Sequence, residues 1–379
     1  MGYQADHHIP MLQPRLPPIA NFLKNQHPNY DIYHVHFRPF FYNNSKTIDF
    51  PSFFDLILLK SIGKKIVFHF RGSEIRINKI FKDMSPYNYV DENPFQLSEK
   101  FPDETKYRYI EIVKAISDAV LVNDSEIQSY VGAGTIINRI VPEDKLPHIG
   151  ISPSGLPLVI HAPSRREVKG THEILHAVKT LKNEGLKFKF QLVENMNHAN
   201  AVEVYKQADI IIDQLRIGWY GVLSVEAMCL GKAVICYIRD DLMAEFNNKK
   251  PIMNANPDNI TEVLRELILN KEKRLKISMN GRKWFNEQHS EKKVINNLIS
   301  VYDEVMSTEK PLDFNVCMDF IQYHSKQYNK KLTTINGNTM PYSDIEGWHP
   351  KTFYSKAAYI LETQGIKSLL HRMLKINKS

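Results

Sequence analysis

Short, nearly continuous apolar segments alternate with amphipathic segments along most of the chain, and this alternation constrains the fold more than any other feature. In the first half, residues 31–36, 65–70 and 119–122 are rich in β-branched and aromatic residues, and helical periodicity appears at about 53–61 and 107–117. Strands that are apolar on both faces are typical of a parallel sheet covered by helices on each side. Residues 78–102 are rich in Pro, Asn and Tyr and predict a loop or a lid.

A second series of the same kind follows a Pro-rich stretch, residues 142–157, which we interpret as an interdomain linker. Its predicted strands are residues 158–161, 188–193, 209–213 and 233–237. Its predicted helices lie at about 171–184, 199–207, 221–230, 258–270, 272–288 and 291–306. The two series predict an α/β fold of two doubly wound, Rossmann-like domains, residues 1–150 and 151–307, with ligands at the carboxyl ends of the strands.

The pattern changes at about residue 308, and residues 308–379 form a predicted C-terminal extension. Its last segment, residues 365–378, predicts a helix with one apolar face and one basic face. Such a helix can lie on an anionic membrane surface. Packing of the helix on its own domain is an equally good interpretation.

Composition narrows the class of protein. The three cysteines of this 379-residue chain include no C-x-x-C pair and cannot build a disulfide framework, which favours a reducing, cytoplasmic setting. No apolar run approaches the roughly 18–20 residues of a membrane span. The net charge is +7, yet no nucleic-acid-binding motif is present. The basic excess therefore favours substrate phosphates or lipid head groups as partners, with peripheral contact at the inner membrane face left open.

The most informative segment runs from the predicted strand at 209–213 through a glycine-containing turn into a helix that begins near Gly221. The main-chain N–H groups of Gly221, Val222 and Leu223 are then free at a helix N-terminus, where the dipole favours an anion. Glu226 lies about 1.5 turns later. Since a diphosphate would repel its carboxylate, a neutral diol such as ribose is the expected partner. An ordinary βαβ crossover with a solvent-facing glutamate is the competing interpretation.

The spacing of Gly221, Glu226, Ala227-Met228 and Gly231-Lys232 resembles the donor-site signature of GT-B glycosyltransferases of family 4. This resemblance implies that Glu226 holds the donor ribose. The family also has a glutamate three residues before the glycine, which contacts the donor sugar, but that position here is Gly218. Asp213 is a nearby candidate substitute. The resemblance therefore supports nucleotide binding more firmly than catalysis.

Residues 161–171 follow a predicted strand and resemble the family's Arg…Lys-Gly segment. The resemblance implies that Arg165 and Lys169 stabilise the leaving nucleotide diphosphate, with Arg166 as the alternative to Arg165. A solvated basic loop is the competing interpretation. Glu194 begins a segment that resembles the loop meeting the donor base, which adds it to the predicted donor-binding residues.

The first half resembles the family's acceptor domain less specifically. Residues 31–36 are similar to its Asp-x-x-His-x-His strand, and residues 69–76 are similar to its His-Gly-x-Asp-type loop, which faces the donor sugar. Arg71 stands where histidine is common, so the resemblance implies that Arg71 or His69 contacts the transferred sugar or a phosphate. Histidines in apolar strands are more often core residues, which is the competing interpretation for His36 and His69.

Members of the family usually begin with a strand, a glycine-rich loop and a helix that shape the acceptor cleft. Only about 30 residues precede the first predicted strand here, and they are rich in Pro and His. We therefore expect an incomplete N-terminal domain, with a missing segment upstream of Met1. A peptide from upstream of Met1 in the mass spectrum of the native protein would support this expectation, and a native start at Met1 would contradict it.

These features together predict a retaining glycosyltransferase that moves a sugar from a nucleotide-diphosphate-sugar donor to a hydroxyl acceptor. The acceptor is expected to be a saccharide or a lipid-linked sugar in surface polysaccharide or glycolipid synthesis; retention is implied by the resemblance alone. We predict no cofactor and no metal, because cations and the helix dipole can take the metal's role, and Asp240-Asp241 is interpreted as a helix start. The alternatives are a non-catalytic nucleotide-sugar-binding protein and a sugar-nucleotide epimerase, for which no acid–base pair can be placed.

Overall fold

Two parallel sheets, one in each half of the chain, organise the computed structural model, which describes residues 29–36, 53–90, 103–320 and 322. The first sheet has the order β1-β2-β3-β4. Its strands are β1 (Ile32–His36), β2 (Lys65–Phe70), β3 (Ala119–Val122) and β4 (Thr135–Ile136). The helices of this half are α1 (Phe54–Ser61), α2 (Asn78–Met84), α3 (Asp103–Ile116) and α4 (Ser125–Val131).

The second sheet has the order β6-β5-β7-β8-β9, again with every pair parallel. Its strands are β5 (Leu158–His161), β6 (Lys189–Leu192), β7 (Ile210–Ile212), β8 (Ala233–Cys236) and β9 (Met253–Asn254). The helices that follow the linker are α5 (Arg166–Lys169), α6 (Thr171–Asn183), α7 (His198–Tyr205), α8 (Val222–Leu230), α9 (Ile260–Leu269), α10 (Lys271–Gln288) and α11 (Glu291–Ser307). Single 3₁₀ segments span Glu143–Lys145 and Asp240–Phe246.

Each sheet is apolar on both faces, as the continuous apolar strands predict. In the second sheet, Ile211 belongs to the core on one face, whereas Ile210 and Ile212 belong to the core on the other. Alternate side chains of one strand point to opposite faces, so a strand with three consecutive isoleucines can supply both cores. The predicted α/β class with two Rossmann-like sheets is confirmed.

The prediction that residues 78–102 lack regular structure is wrong for the first seven residues, because they form helix α2 (Asn78–Met84). The main-chain N–H groups of Asn78 and Lys79 donate to the two carboxylate oxygens of Asp103, at 2.8 and 2.9 Å. This carboxylate caps the helix although it lies 24–25 residues away in sequence. No local sequence pattern therefore predicts the start of the helix. Residues 91–102 lie outside the described part of the chain.

The two halves are tied together by packing. Val168 of α5 and Ile217, in the loop before α8, pack into the core of the first half. After α10 the chain returns to the first half, where Val294, Val301 and Val305 of α11 pack with Val67 and Leu121 on the other face of the first sheet. Helix α11, predicted as part of the domain over 151–307, therefore covers the first sheet.

The predicted C-terminal extension is described only at its start. Residues 314–320 are helical, and Cys317 and Phe320 pack into the core of the first half. The predicted amphipathic helix at 365–378 lies outside the described residues. Within the described ranges, no helix is both long enough and apolar enough to span a bilayer.

Candidate functional site

The N-terminus of α8 lies at the carboxyl end of β7, where Gly221 is the residue that precedes the helix. The Gly221 N–H was predicted to be free for an anion, and this prediction is wrong: it donates to Asp213 Oδ2 at 2.7 Å. The hydroxyl of Ser224 donates to the same oxygen at 2.8 Å. A carboxylate of the protein therefore already lies at the positive end of the helix dipole.

Lys169 completes the environment of Asp213. Its ammonium group is 2.8 Å from Asp213 Oδ1 and also donates to the side-chain oxygen of Gln214. Burial by itself raises the pKa of Asp213, but Lys169, Ser224 and the Gly221 N–H more than offset burial and hold that pKa below its ordinary value. The predicted cation therefore lies beside the predicted helix terminus, and Asp213 is its partner.

The next two N–H groups of α8 differ from that of Gly221. The main-chain N–H groups of Val222 and Leu223 have no acceptor among the described residues, and Val222 is 42% exposed. A side chain at position 221 would crowd this terminus, since a Cβ there would lie 3.0 Å from Asp213 Oδ2 and 3.5 Å from the Lys169 ammonium. The helix terminus thus retains two donors for an incoming anion, next to Lys169.

Glu226 lies inside α8 and is 2% exposed. Its Oε1 is 2.6 Å from Nε2 of His198, the first residue of α7, whose side chain is 40% exposed. Burial raises the pKa of the Glu226 carboxyl, and the neighbouring His198 opposes this effect. Glu226 is therefore not the solvent-facing glutamate of the competing interpretation, but a buried carboxylate reached from solvent through an imidazole.

The basic segment before α6 contains one paired and one unpaired arginine. Arg166 forms a two-point ion pair with Glu194, with its Nε 2.8 Å from Oε1. The hydrogen bond from Arg166 lowers the pKa of Glu194. The half-buried side chain of Arg165 makes no ion pair among the described residues. Arg165 is therefore the cation of this segment that remains available to a ligand, and Glu194 is already paired.

Gly218, which occupies the position of the family's first glutamate, has a φ of +91°. A Cβ at this position would lie only 2.4 Å from Cγ of Arg239. The Arg239 guanidinium is buried, pairs with Asp241 at 2.7 and 2.9 Å and donates to Ser129 of α4 at 3.2 Å. A glutamate at position 218 is therefore excluded by an arginine that also links the two halves.

Aromatic packing holds the loop between Gly218 and α8. Trp219 stacks on Phe246 with ring centroids 5.4 Å apart. The Tyr220 hydroxyl accepts from Trp284 Nε1 at 3.1 Å and lies 2.9 Å from His289 Nε2. His289 Nδ1 is 2.9 Å from the Arg139 carbonyl, so Nδ1 carries the proton and Nε2 accepts from Tyr220. The loop that positions Gly221 is thus fixed by a continuous chain of buried hydrogen bonds.

The predicted first-half residues lie at the carboxyl end of β2. The Arg71 side chain is exposed and has no ion pair among the described residues, while the Arg71 and Gly72 N–H groups donate to the Glu74 carboxylate. The charge of Arg71 lowers the pKa of His36 and His69, although burial is the larger cause in each case. Arg71 therefore adjoins the strand histidines, and no described contact joins it to Lys169 or Glu226.

Three residues of this site were not predicted from the sequence. His198 contacts Glu226, Ser224 donates a hydrogen bond to Asp213, and the Arg239 side chain packs against Gly218. Ser224 lies three residues after Gly221, in the first turn of α8, so the helical period could have suggested that it faces the same way. His198 and Arg239 arrive from other elements, and no spacing within the motif indicates them.

Comparisons with known proteins concern a family match over part of the chain and the fold. Residues 180–284 match the family described as glycosyl transferases group 1. No curated protein matches the chain. Among solved structures, sucrose-phosphate synthase from Thermosynechococcus elongatus is similar over 80% of this chain and 81% of its own, with 13% identity and a TM-score of 0.54. A glycosyltransferase from Rickettsia africae is similar over 80% and 85%, with 16% identity and a TM-score of 0.52. At these identities the shared property is the fold, which is the GT-B fold of two Rossmann-like domains.

Proposed function

We propose that this chain, a GT-B protein whose residues 180–284 match the glycosyl transferases group 1 family, transfers a sugar from a nucleotide-diphosphate-sugar donor to a hydroxyl acceptor. The observation that carries the proposal is the grouping of Lys169, the N-terminus of α8 and Glu226 at one edge of the second sheet. In open α/β sheets, ligands bind at the carboxyl ends of the strands. The grouping lies at that end.

The donor diphosphate would lie at the N-terminus of α8. The N–H groups of Val222 and Leu223 are free to donate to it, and Arg165 has no competing carboxylate among the described residues. Lys169 would divide its charge between Asp213 and the phosphate. These donors and cations would stabilise the negative charge that develops on the leaving diphosphate, which is the role a metal ion would otherwise take.

The donor ribose would lie over Glu226, whose carboxylate can accept hydrogen bonds from two vicinal hydroxyls. His198 lies 2.6 Å from one of the carboxylate oxygens and is exposed enough to move or to bond a hydroxyl itself. Glu194, paired with Arg166, would border the donor base. A neutral diol suits this position better than a phosphate, because the Glu226 carboxylate would repel a phosphate placed directly against it.

Retention at the anomeric carbon would follow from attack on the face that the diphosphate leaves. The acceptor hydroxyl forms the new C–O bond as the bond to the diphosphate oxygen breaks, and that oxygen takes the hydroxyl proton. This route needs no carboxylate nucleophile, and the family's first glutamate position holds Gly218. A saccharide or a lipid-linked sugar remains the proposed acceptor, and a cytoplasmic location remains part of the proposal.

The assignment of Glu226 is tested by nucleotide binding. Thermal melting with UDP, GDP and ADP identifies the nucleotide, since a ligand specific to the folded state raises the melting temperature. Glu226→Ala should then weaken binding of that nucleotide at least about tenfold in calorimetry, the loss expected for a hydrogen bond to a charged group. Glu203→Ala, which removes an exposed glutamate on α7, is the matched control. Equal affinity of wild type and Glu226→Ala would remove this assignment.

A second candidate function is nucleotide-sugar binding without transfer. The observation that favours it is Arg239, which fills the space beside Gly218 where the family's sugar-contacting carboxylate would stand. Incubation with labelled nucleotide sugars and a hydroxyl acceptor separates the two functions. Transfer or hydrolysis of the sugar supports the enzyme. Tight binding with an unchanged donor supports the binding protein.

A further inference from the structure

Three histidines converge on one face of the first sheet. His34 and His36 are two residues apart on β1, and the parallel register places His36 beside His69 of β2. Each residue offers one ring nitrogen, and these three nitrogens lie within 4.8 Å of one another. We call His34, His36 and His69 the three-histidine cluster.

The cluster contains nitrogen atoms that lack the partners a buried polar group needs. His69 is 6% exposed, and neither of its ring nitrogens has a hydrogen bond of ordinary geometry among the described residues. The Asn123 amide lies near His69, and one of its two N–H groups donates to the Arg71 carbonyl at 2.9 Å. Nε2 of His34 is also buried and unpartnered. A buried ring nitrogen without a hydrogen-bond partner is unfavourable, so these three nitrogens favour a bound ligand.

Tyr302 of α11 orients one of these rings. Its hydroxyl is 2.6 Å from Nδ1 of His34, and the two rings meet edge to face at 5.9 Å. A proton on Nδ1, donated to the phenol oxygen, leaves the lone pair on Nε2, which is the unpartnered nitrogen. A hydrogen bond on the far nitrogen is the usual support of a metal-bound histidine.

The donor atoms of the cluster also suit a metal. All three donors are imidazole nitrogens. Such a set suits zinc and the neighbouring first-row divalent metals rather than magnesium or calcium, which prefer oxygen.

We propose that the three-histidine cluster binds one divalent transition-metal ion, with zinc as the expected ion, through three imidazole nitrogens and one open coordination position. The His34 and His36 rings are stacked, with centroids 4.4 Å apart. Binding therefore turns them, and His36, the exposed member, gives the ion its access. The site does not depend on the proposed transferase function, and the donor site remains metal-free in this proposal.

The test uses the tag-free full chain after treatment with a chelator and dialysis. Titration with zinc chloride in the calorimeter should give one equivalent of tight binding, and cobalt chloride should give the visible absorption of a tetrahedral nitrogen site. His36→Ala should weaken zinc binding more than about tenfold. Tyr302→Phe should weaken it about tenfold, the usual effect of losing a hydrogen-bond partner of a metal ligand.

The matched control is His172→Ala, which removes a histidine whose side chain is 92% exposed and outside the cluster. Its zinc affinity should equal that of wild type. Absence of stoichiometric zinc binding would overturn the proposal, and so would an affinity that His36→Ala leaves unchanged. The readout is metal affinity, so its failure is distinct from a failure of nucleotide binding at Glu226.

Discussion

Replacing Gly218 with alanine should destabilise the protein by roughly 2–5 kcal/mol, because the added methyl group has neither a favourable backbone conformation nor room. The residue has a φ of +91°, and the left-handed region costs a non-glycine residue about 1–2 kcal/mol. The new Cβ would also lie 2.4 Å from Cγ and 2.8 Å from Cδ of Arg239, a side chain that is 1% exposed. Overpacking of this kind costs about 1–3 kcal/mol.

The steric part of this cost can be separated from the conformational part. Gly185 has a similar φ of +85°, but a Cβ there would meet no atom within 4 Å. Gly185→Ala should therefore cost only the conformational part. In an Arg239→Ala background, Gly218→Ala should be less costly than in wild type by about 1–3 kcal/mol, the usual coupling between residues in contact.

Thermal melting measures the stability of all of these variants, since each kcal/mol of lost stability lowers the melting temperature of a domain of 150–250 residues by roughly 2–4 °C. Gly218→Ala should melt clearly below Gly185→Ala. Equal losses in the two variants, or a Gly218→Ala loss unchanged by removing the Arg239 side chain, would refute the steric argument. If the argument holds, the family's glutamate cannot be restored at position 218 without displacing Arg239.

Three further outcomes follow from the buried polar groups. Lys169→Met should lower the free energy of unfolding by about 3 kcal/mol, because it leaves the buried Asp213 carboxylate without its cation. Chemical denaturation measures this loss, and an unchanged free energy of unfolding would contradict the buried ion pair. Tyr220→Phe should lower the free energy of unfolding by about 1–3 kcal/mol, because two buried partners of Tyr220, His289 and Trp284, lose their hydrogen bonds. An unchanged melting temperature would contradict the proposed role of these hydrogen bonds. Burial lowers the pKa of His161 and His289 from 6.5 to about 4. Between these pH values the unfolded chain binds protons more readily than the folded protein. The stability present above about pH 6.5 is therefore lost as the pH falls toward 4. The loss is roughly 2 kcal/mol for each at pH 5; His289→Gln should show a shallower decline in melting temperature than wild type between pH 7 and 5.

The fold could be predicted where the chain itself carries both requirements of a buried strand, apolarity and β-branching. The predicted bounds of 65–70, 119–122 and 158–161 match β2, β3 and β5. The two-residue strands β4 and β9 are too short for a period, and α2 depends on a cap from Asp103. What is local in the sequence was therefore predictable, and what depends on a distant partner was not.

The candidate site was likewise predictable only in the features that depend on local sequence. The helix start at Gly221, the helix end at Gly231, whose φ is +75°, and the position of Glu226 within α8 follow from spacing along one segment. The pairing of Asp213 with Lys169 joins residues 44 apart, and His198 approaches Glu226 across 28 residues. These pairings decide which donors are free for a ligand, and they are properties of the packed site.

The return of α11 to the first sheet makes the second half an insertion within the first. Residues 294, 301 and 305 complete the apolar face that Val67 and Leu121 begin. During synthesis, the first sheet must therefore wait with that face uncovered until the whole second half has left the ribosome. The second half is continuous in the chain and has no such delay, so it can fold before the first half is complete, although its synthesis begins later.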